Sequence, residues 1–217
     1  MEILSGVAFP AGKNLVPDTP NTSPDYFCTW QAQLYRCSDG GPQAQRDCLT
    51  EENLFGNAGG AGWAYLYPEA RGDLIFLMDD CWDVPIGGKK DESPYFGSQI
   101  LARDKFPSCF AAGQNNEQAM ADLNEKIRSC GWRGMGGWIC AQQAPLLCKE
   151  DPGKYWRDRL CWSENAGWLY WKVDWGTEYR NYAFRRMLVE MRHRFAPHLF
   201  MEHALVPELI PYADVFR

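Results

Sequence analysis

The sequence is poor in the residues and patterns from which metal sites and disulfide frameworks are built. It has only three histidines, and none of its nine cysteines forms a Cys-x-x-Cys pair. An odd number of cysteines without that pair argues against a complete disulfide framework and against a zinc ribbon. His193, His198 and His203 are five residues apart, a spacing that does not align them on one helix face. We therefore expect mostly buried free thiols, no metal site and no cofactor.

An excess of positive charge and a long apolar segment are also missing. The chain has 22 Lys and Arg against 28 Asp and Glu, a net charge of −6, which argues against nucleic acid or an anionic membrane as a partner. No apolar run approaches the roughly 20 residues of a membrane-spanning helix. The first residues lack a basic stretch followed by an apolar core, so we expect no signal peptide. These features indicate no particular compartment or oligomeric state.

Aromatic side chains, by contrast, are plentiful. The 217 residues include 10 Trp, 10 Tyr and 11 Phe, and 46% of the chain is hydrophobic, enough for one substantial core. Residues 1–25 are rich in Pro, Asn, Ser and Thr, which predicts an irregular leading segment. Residues 26–217 are predicted to form a single domain.

Strand and helix patterns alternate along that domain. Strand composition occurs in six stretches: 26–30, 74–78, 134–140, 168–173, 198–202 and 209–216. Amphipathic helices are predicted at 115–130, from 152 to near 167, and at 178–195. This alternation predicts an α/β fold with a parallel sheet and right-handed crossovers.

Acidic residues follow several of these strands, which favours a (β/α)8 barrel of the TIM type over a doubly wound sheet. A barrel collects polar side chains from many strands at one edge, whereas a doubly wound sheet concentrates its site at one switch point. Only six strands can be counted here, and a complete barrel has eight strands in about 250 residues. We therefore expect an incomplete barrel, with the last two strands and any C-terminal β domain missing.

The most informative motif ends an aromatic run late in the chain. Trp168-Leu169-Tyr170-Trp171 is followed directly by Lys172-Val173-Asp174. Residues two apart on a strand point to the same side, so Lys172 and Asp174 are predicted to lie together at the strand's carboxyl end. A lysine beside a carboxyl group favours the ionised acid, which suits a nucleophile. A structural ion pair at a strand end is the alternative interpretation.

A second acidic motif, Asp79-Asp80-Cys81-Trp82, follows the continuous apolar run at 74–78. Two adjacent carboxylates repel each other in an apolar site, but they are stabilised where each accepts hydrogen bonds. Neighbouring hydroxyls of a sugar can donate such bonds. The alternative interpretation is an acidic turn that caps the next segment.

Taken in order, these motifs resemble those of the clan-D glycoside hydrolases, the α-galactosidase and melibiase group. Asp79-Asp80-Cys81-Trp82 resembles the motif after the second barrel strand, and Lys172-Val173-Asp174 resembles the Lys-x-Asp of the fourth. Between them, residues 131–139 resemble the passage into the third strand. The resemblance covers roughly residues 26–217.

This resemblance implies a retaining glycosidase that acts on terminal α-linked galactose or a related sugar, without metal or cofactor. Asp174 is then the nucleophile, and Asp214 in the last predicted strand is the acid/base. Lys172 binds a sugar hydroxyl, while Asp79 and Asp80 hold the 4- and 6-hydroxyls.

Three more residues are implied to contact the carbohydrate substrate. Trp30 resembles the aromatic residue after the first strand, and Trp138 matches a tryptophan that can line the sugar site. Glu202 falls where the fifth strand carries a polar residue near the 2-hydroxyl. Trp82 is a further aromatic candidate, with packing in the core as its alternative role.

The chain departs from the family pattern in three places, of which one is the fifth strand, where the Gly-Gly-Gly-Arg run of some bacterial members is missing. Trp175-Gly176 stands where family members have Cys or Asn after the nucleophile, and Asp214 lacks the surrounding Ser-Asp-x-Thr-Asp pattern. Two alternatives therefore stay open. One is a clan relative with another α-glycoside specificity, and the other is a non-catalytic or inactive sugar-binding barrel fragment.

Overall fold

The computed structural model describes residues 2–4, 7–9, 24–56, 62–89, 96–142, 151–204 and 214–216. Near the amino terminus, β1 (Glu2–Leu4) and β2 (Val7–Phe9) pair antiparallel in a two-stranded sheet of their own. The leading segment is therefore not wholly irregular, and its remaining residues up to 23 lie outside the described part.

A second sheet of six parallel strands organises the rest of the described chain. Its strands are β3 (Tyr26–Cys28), β4 (Ile75–Met78), β5 (Gly134–Ile139), β6 (Tyr170–Val173), β7 (Phe200–His203) and β8 (Val215–Phe216). They lie side by side in chain order. The predicted α/β fold with a parallel sheet is confirmed at this level.

Helices fill the connections between the strands. They are α1 (Thr29–Arg36), α2 (Gly41–Asp47), α3 (Glu51–Phe55), α4 (Asn116–Ser129), α5 (Pro152–Asn165) and α6 (Tyr182–Phe195). Each of the three long helices begins at an Asn or Asp side chain that accepts a backbone N–H, which satisfies donors left open at the first turn. The caps are Asn115, Asp151 and Asn181. No helix in the described residues is long and apolar enough to cross a membrane.

The sheet is curled, and its two faces carry different side chains. The ring centroids of Tyr26 on β3 and Tyr170 on β6 are 5.1 Å apart. In a flat sheet, two strands separated by three strand spacings would be about 14 Å apart. Gly136 on the intervening β5 permits this approach, because a β-carbon there would lie 2.7 Å from that of Tyr170. The sheet is therefore curled toward its concave face, as in part of a barrel.

The convex face supplies the main core. Phe76, Met135, Trp171 and Met201, from four neighbouring strands, are at most 1% exposed and pack against the helices. The inward residues between them form a smaller apolar cluster around Ile75, Leu77 and Tyr170. Alternation of this kind follows from the two-residue period of a strand.

Two local expectations differ from the structure. The first strand ends at Cys28, because Thr29 already opens α1. Two helices, α2 and α3, lie between the first two strands, where no helix is predicted from the sequence. Of the sixth predicted strand, Val215–Phe216 belong to β8, and residues 209–213 lie outside the described part of the chain.

Candidate active site

Four polar or aromatic side chains stand at one level of the concave face, near the carboxyl ends of the strands. The register pairs Trp138 with Lys172 and Lys172 with Glu202, and Asp79 follows Met78, the partner of Gly137. Residues that share a level and a face on adjacent parallel strands lie close together. β4 to β7 therefore each deliver one group to the same layer.

Lys172 lies between two carboxylates in this layer. Its Nζ is 2.6 Å from Asp79 Oδ2 and 3.3 Å from Asp174 Oδ2. All three residues are nearly buried, with exposures of 6% for Lys172, 3% for Asp79 and 5% for Asp174. Burial alone would lower the pKa of Lys172, but the nearby carboxylates, Asp79 foremost, outweigh it and raise that pKa above its ordinary value. Lys172 is therefore held as a cation.

Asp79 is fixed by three further hydrogen bonds. The Cys28 thiol donates to its Oδ2 at 3.0 Å, and the Asp80 backbone N–H donates to its Oδ1 at 2.8 Å. Its own backbone N–H donates to the Thr29 hydroxyl at 2.8 Å. Burial, together with the Asp79 charge, raises the pKa of the Cys28 thiol, so this thiol stays protonated and acts as a donor.

Asp80 has a different cation as its partner. Arg46 Nε on α2 donates to its Oδ2 at 3.1 Å, and the Cys81 thiol lies 3.2 Å from its Oδ1. Lys105, which is 1% exposed, donates to the backbone carbonyls of Arg46 and Cys81. These contacts connect the turn after β4 to α2. The two adjacent aspartates thus pair with different cations, Asp79 with Lys172 and Asp80 with Arg46.

The backbone at Asp174 is held by Arg185 of α6, a fully buried arginine. Its guanidinium donates to the carbonyls of Val173 at 2.6 Å, Asp174 at 3.0 Å and Ala204 at 3.1 Å. Burial lowers the pKa of Arg185 to about 10, while the Asp174 charge opposes that shift. Arg185 therefore joins the carboxyl ends of β6 and β7 and fixes the position from which the Asp174 side chain starts.

Glu202 belongs to the same layer, and its partner is Tyr170, which lies nearer the amino end of β6. The Tyr170 hydroxyl donates to Glu202 Oε2 at 2.9 Å, and Glu202 is 1% exposed. Burial and then the Glu202 charge raise the pKa of Tyr170 above its ordinary range. The hydroxyl therefore remains a donor to this carboxylate.

The three tryptophans named from the sequence are placed differently. Trp138 lies on the concave face at the level of Lys172, is 3% exposed and packs against Phe96 at 5.4 Å. Trp82 is 1% exposed, packs on Trp168 and donates its indole N–H to the Trp138 carbonyl, so it belongs to the core. Trp30 lies in the first turn of α1 and is half-buried.

Asp214, the residue implied to be the acid/base, is not part of this layer. It precedes β8 and accepts two 2.7 Å hydrogen bonds from Arg192 Nη2, at the end of α6. Its Oδ2 also accepts the backbone N–H of Met201, early in β7. Asp214 thus lies toward the amino ends of the strands and is held on the helix side, because it precedes its strand instead of following it.

Three buried polar residues close to the carboxyl edge have side-chain atoms without a hydrogen-bond partner in the described structure. Asp83 Oδ1 and both side-chain amide atoms of Gln99 lack hydrogen bonds, as do both ring nitrogens of His203. Burial raises the pKa of Asp83 to about 7, with the Gln99 N–H opposing and Asp80 adding to the shift. Burial, followed by the Arg185 charge, lowers the pKa of His203 to about 3. Near neutral pH, Asp83 is therefore partly protonated, unlike an ordinary aspartate, and His203 is neutral.

Two cavities lie beside β3, and one of them, of about 260 Å³, is lined by Cys28, the residue that donates to Asp79. The other, of about 470 Å³, is lined by Phe27, Tyr35 and Trp63, among others, on the outer side of β3. In the described part of the chain, no group of three or more His, Cys, Asp or Glu is arranged to hold a metal. The eight described cysteines are free thiols, of which three are buried, and Cys148 lies outside the described residues.

Several residues that shape the site were not foreseen from the sequence. Cys28 could have been, because it alternates with Tyr26 on a strand whose inward face the pattern defines. Arg46, Lys105 and Arg185 carry no local signal, since each is brought to the site by the packing of a helix or loop. Comparisons with protein-family models, with curated proteins and with solved structures found no match to this chain.

Proposed function

We propose that this chain forms part of a retaining glycoside hydrolase that acts on a terminal α-linked galactose or a related sugar. The curled sheet is, in this proposal, part of a (β/α)8 barrel. The observation that carries the proposal is the Lys172 ammonium held between Asp79 and Asp174 at the carboxyl edge of the sheet. That edge is where barrel enzymes carry their active sites.

Asp174 serves as the nucleophile. Its carboxylate oxygen bonds to the anomeric carbon as the bond to the leaving oxygen breaks, and water later hydrolyses the glycosyl-enzyme. Lys172 Nζ lies 3.3 Å from Asp174 Oδ2, and Arg185 fixes the Asp174 backbone. The leaving oxygen also needs a proton from a second carboxyl group about 5–5.5 Å from Asp174; Asp214, the residue implied for this role, is bound to Arg192 in the structure.

Asp79 and Asp80 accept hydrogen bonds from sugar hydroxyls, and Lys172 and Glu202 supply the other polar contacts. Trp138 offers an apolar face at the same level. Because these residues are at most 6% exposed, a sugar must displace groups that now cover them. We therefore expect a change in tryptophan fluorescence on binding.

Chemical trapping tests the nucleophile directly. A 2-deoxy-2-fluoro-α-galactosyl fluoride should transfer its sugar to the protein with loss of fluoride, and mass spectrometry should locate the adduct on the peptide containing Asp174. The Asp174→Asn variant should form no adduct, whereas Asp158→Asn, on the outer side of α5, should react like the wild type. An adduct on another residue would overturn the assignment. A panel of nitrophenyl glycosides would identify the sugar.

A sugar-binding protein without turnover is the second candidate. It is favoured by Asp214, which is committed to Arg192 away from the layer and so leaves the acid/base role unfilled by the residue expected for it. Calorimetry with galactose separates the two. Binding without an adduct or hydrolysis supports this candidate, and the absence of both binding and reaction overturns both.

A further inference from the structure

The carboxyl edge carries one large aromatic side chain that the nucleophile and the sugar-hydroxyl contacts do not use. Trp175 directly follows Asp174 and is 52% exposed, while every residue from Tyr170 to Asp174 is buried. Its ring lies 5.0 Å from that of Tyr179, at an interplanar angle of 41°. Trp175 and Tyr179 thus form an aromatic pair next to Asp174, and tryptophan and tyrosine are residue types enriched at binding surfaces.

The loop that presents Trp175 is held in place by its backbone. The Ala141 N–H donates to the Trp175 carbonyl at 2.8 Å, and the Glu178 N–H donates to the Ala141 carbonyl at 2.7 Å. Between them, Gly176 has φ +153°, and a β-carbon there would collide with the Ala141 carbonyl oxygen. The loop therefore lies against the end of β5 too closely for any other residue at 176.

Arg185 fixes both ends of the same loop. Its Nη2 donates to the Asp174 carbonyl and to the Tyr179 carbonyl, each at 3.0 Å. The guanidinium that positions Asp174 thus also positions the aromatic pair. A pre-formed aromatic surface loses little conformational entropy on binding. Such a surface suits a ligand that binds weakly, such as one sugar ring of an oligosaccharide.

We propose that Trp175 and Tyr179 form a second sugar subsite, which receives the ring next to the galactose held by Asp79 and Asp174. This inference rests on the proposed function and deepens it. The C–H groups on one side of a pyranose carry the positive partial charge that the negative face of an indole attracts. The substrate class is accordingly an oligosaccharide with an α-galactosyl end, not a galactoside of a small alcohol.

The test compares two substrates that differ only beyond the galactose. α-Galactosyl fluoride has a leaving group too small to reach Trp175, whereas a trisaccharide ending in α-galactose extends over it. Trp175→Ala should lower kcat/KM for the trisaccharide roughly tenfold and leave that for the fluoride within about twofold. Trp175→Tyr should retain most of the trisaccharide activity. Tyr35→Ala, which removes an 88% exposed tyrosine on α1, is the matched control.

Equal effects on both substrates, or no effect on either, would overturn the subsite. If the wild type hydrolyses neither substrate, the proposed catalysis fails but the subsite is still tested by calorimetry. The wild type should then bind the trisaccharide roughly tenfold more tightly than methyl α-galactoside, and Trp175→Ala should abolish the difference. Equal affinities in the wild type, or no binding of either sugar, would reject it.

Discussion

The two edges of the parallel sheet each hold buried charges, but the charges are arranged for different ends. At the amino edge, Arg192 and Asp214 form one matched pair, and each also bonds to backbone near the start of β7. At the carboxyl edge, Lys172 serves two carboxylates, so the group as described contains more acid than base. The ion pair at the amino edge joins α6 to the segment before β8, which is a structural role. The shared lysine at the carboxyl edge joins more charges than such a connection needs.

The difference in burial points the same way. The side chains of Arg192 and Asp214 are 10% and 21% exposed, against 7% for Lys172 and 5% for Asp79. Removing charges from water is costly, and a mutual attraction often fails to repay that cost. Burying Lys172 with Asp79 and Asp174 therefore costs stability, as buried charges at functional sites commonly do.

Loss of the shared cation should have the largest effect. Lys172→Met leaves Asp79 and Asp174 buried without their ammonium, so we expect the free energy of unfolding to fall by about 3–5 kcal/mol at pH 7. Urea unfolding followed by circular dichroism measures this. Any sugar binding or turnover should be lost as well.

Lys154→Met is the matched control for that variant. Lys154 pairs with Asp158 one helical turn away, and its side chain is 53% exposed, so its removal should change stability by no more than about 0.5 kcal/mol. If Lys172→Met cost as little as the control, the two carboxylates would not depend on Lys172, and the contrast between the edges would collapse.

A second prediction concerns pH dependence at the carboxyl edge. The pKa of Asp83 is about 7 in the folded chain, above the ordinary value of 3.8, so between these values the folded state binds the extra proton. Stability from Asp83 is therefore present below about pH 4 and is lost as pH rises through 7, by up to about 4 kcal/mol. Asp83→Asn should remove this dependence and leave a protein more stable than the wild type at pH 8.

His203 has the opposite effect on the dependence of stability on pH. Its pKa of about 3 means that its contribution is present above pH 6.5 and is lost as pH falls toward 3. The difference between Asp83→Asn and the wild type at each pH cancels this common term. A difference that does not change between pH 4 and 8 would show that Asp83 ionises normally, despite its burial beside Asp80 and Lys105.

Much of the fold could be predicted because its signals are local. The cap at Asn115, the Asp151-Pro152 start of α5 and the apolar run of β4 each lie within a few residues of the element they define. Helices α2 and α3 were missed because they are seven and five residues long, too short for an apolar stripe to repeat.

The candidate site was predictable only in part, for a related reason. Asp79, Lys172 and Asp174 were expected together, because the parallel arrangement gathers residues that follow strands. Arg46 reaches Asp80 across 34 residues of chain, and no nearby pattern indicates that contact. The contact of Asp214 with Arg192 was not foreseen either, because the two residues are 22 positions apart and no local pattern indicates it.

The smallest effect is expected for Asp214→Asn, and it tests the contrast from the amino edge. The asparagine keeps one acceptor for Arg192 or for the Met201 N–H but loses the paired charge, so stability should fall by about 1–2 kcal/mol. Binding of galactose, and any turnover, should be unchanged because Arg192 holds this carboxylate toward the opposite edge from Asp174. Loss of turnover with unchanged stability would instead support the acid/base role for Asp214. It would also show that the carboxyl edge is not the only functional edge among the described strands.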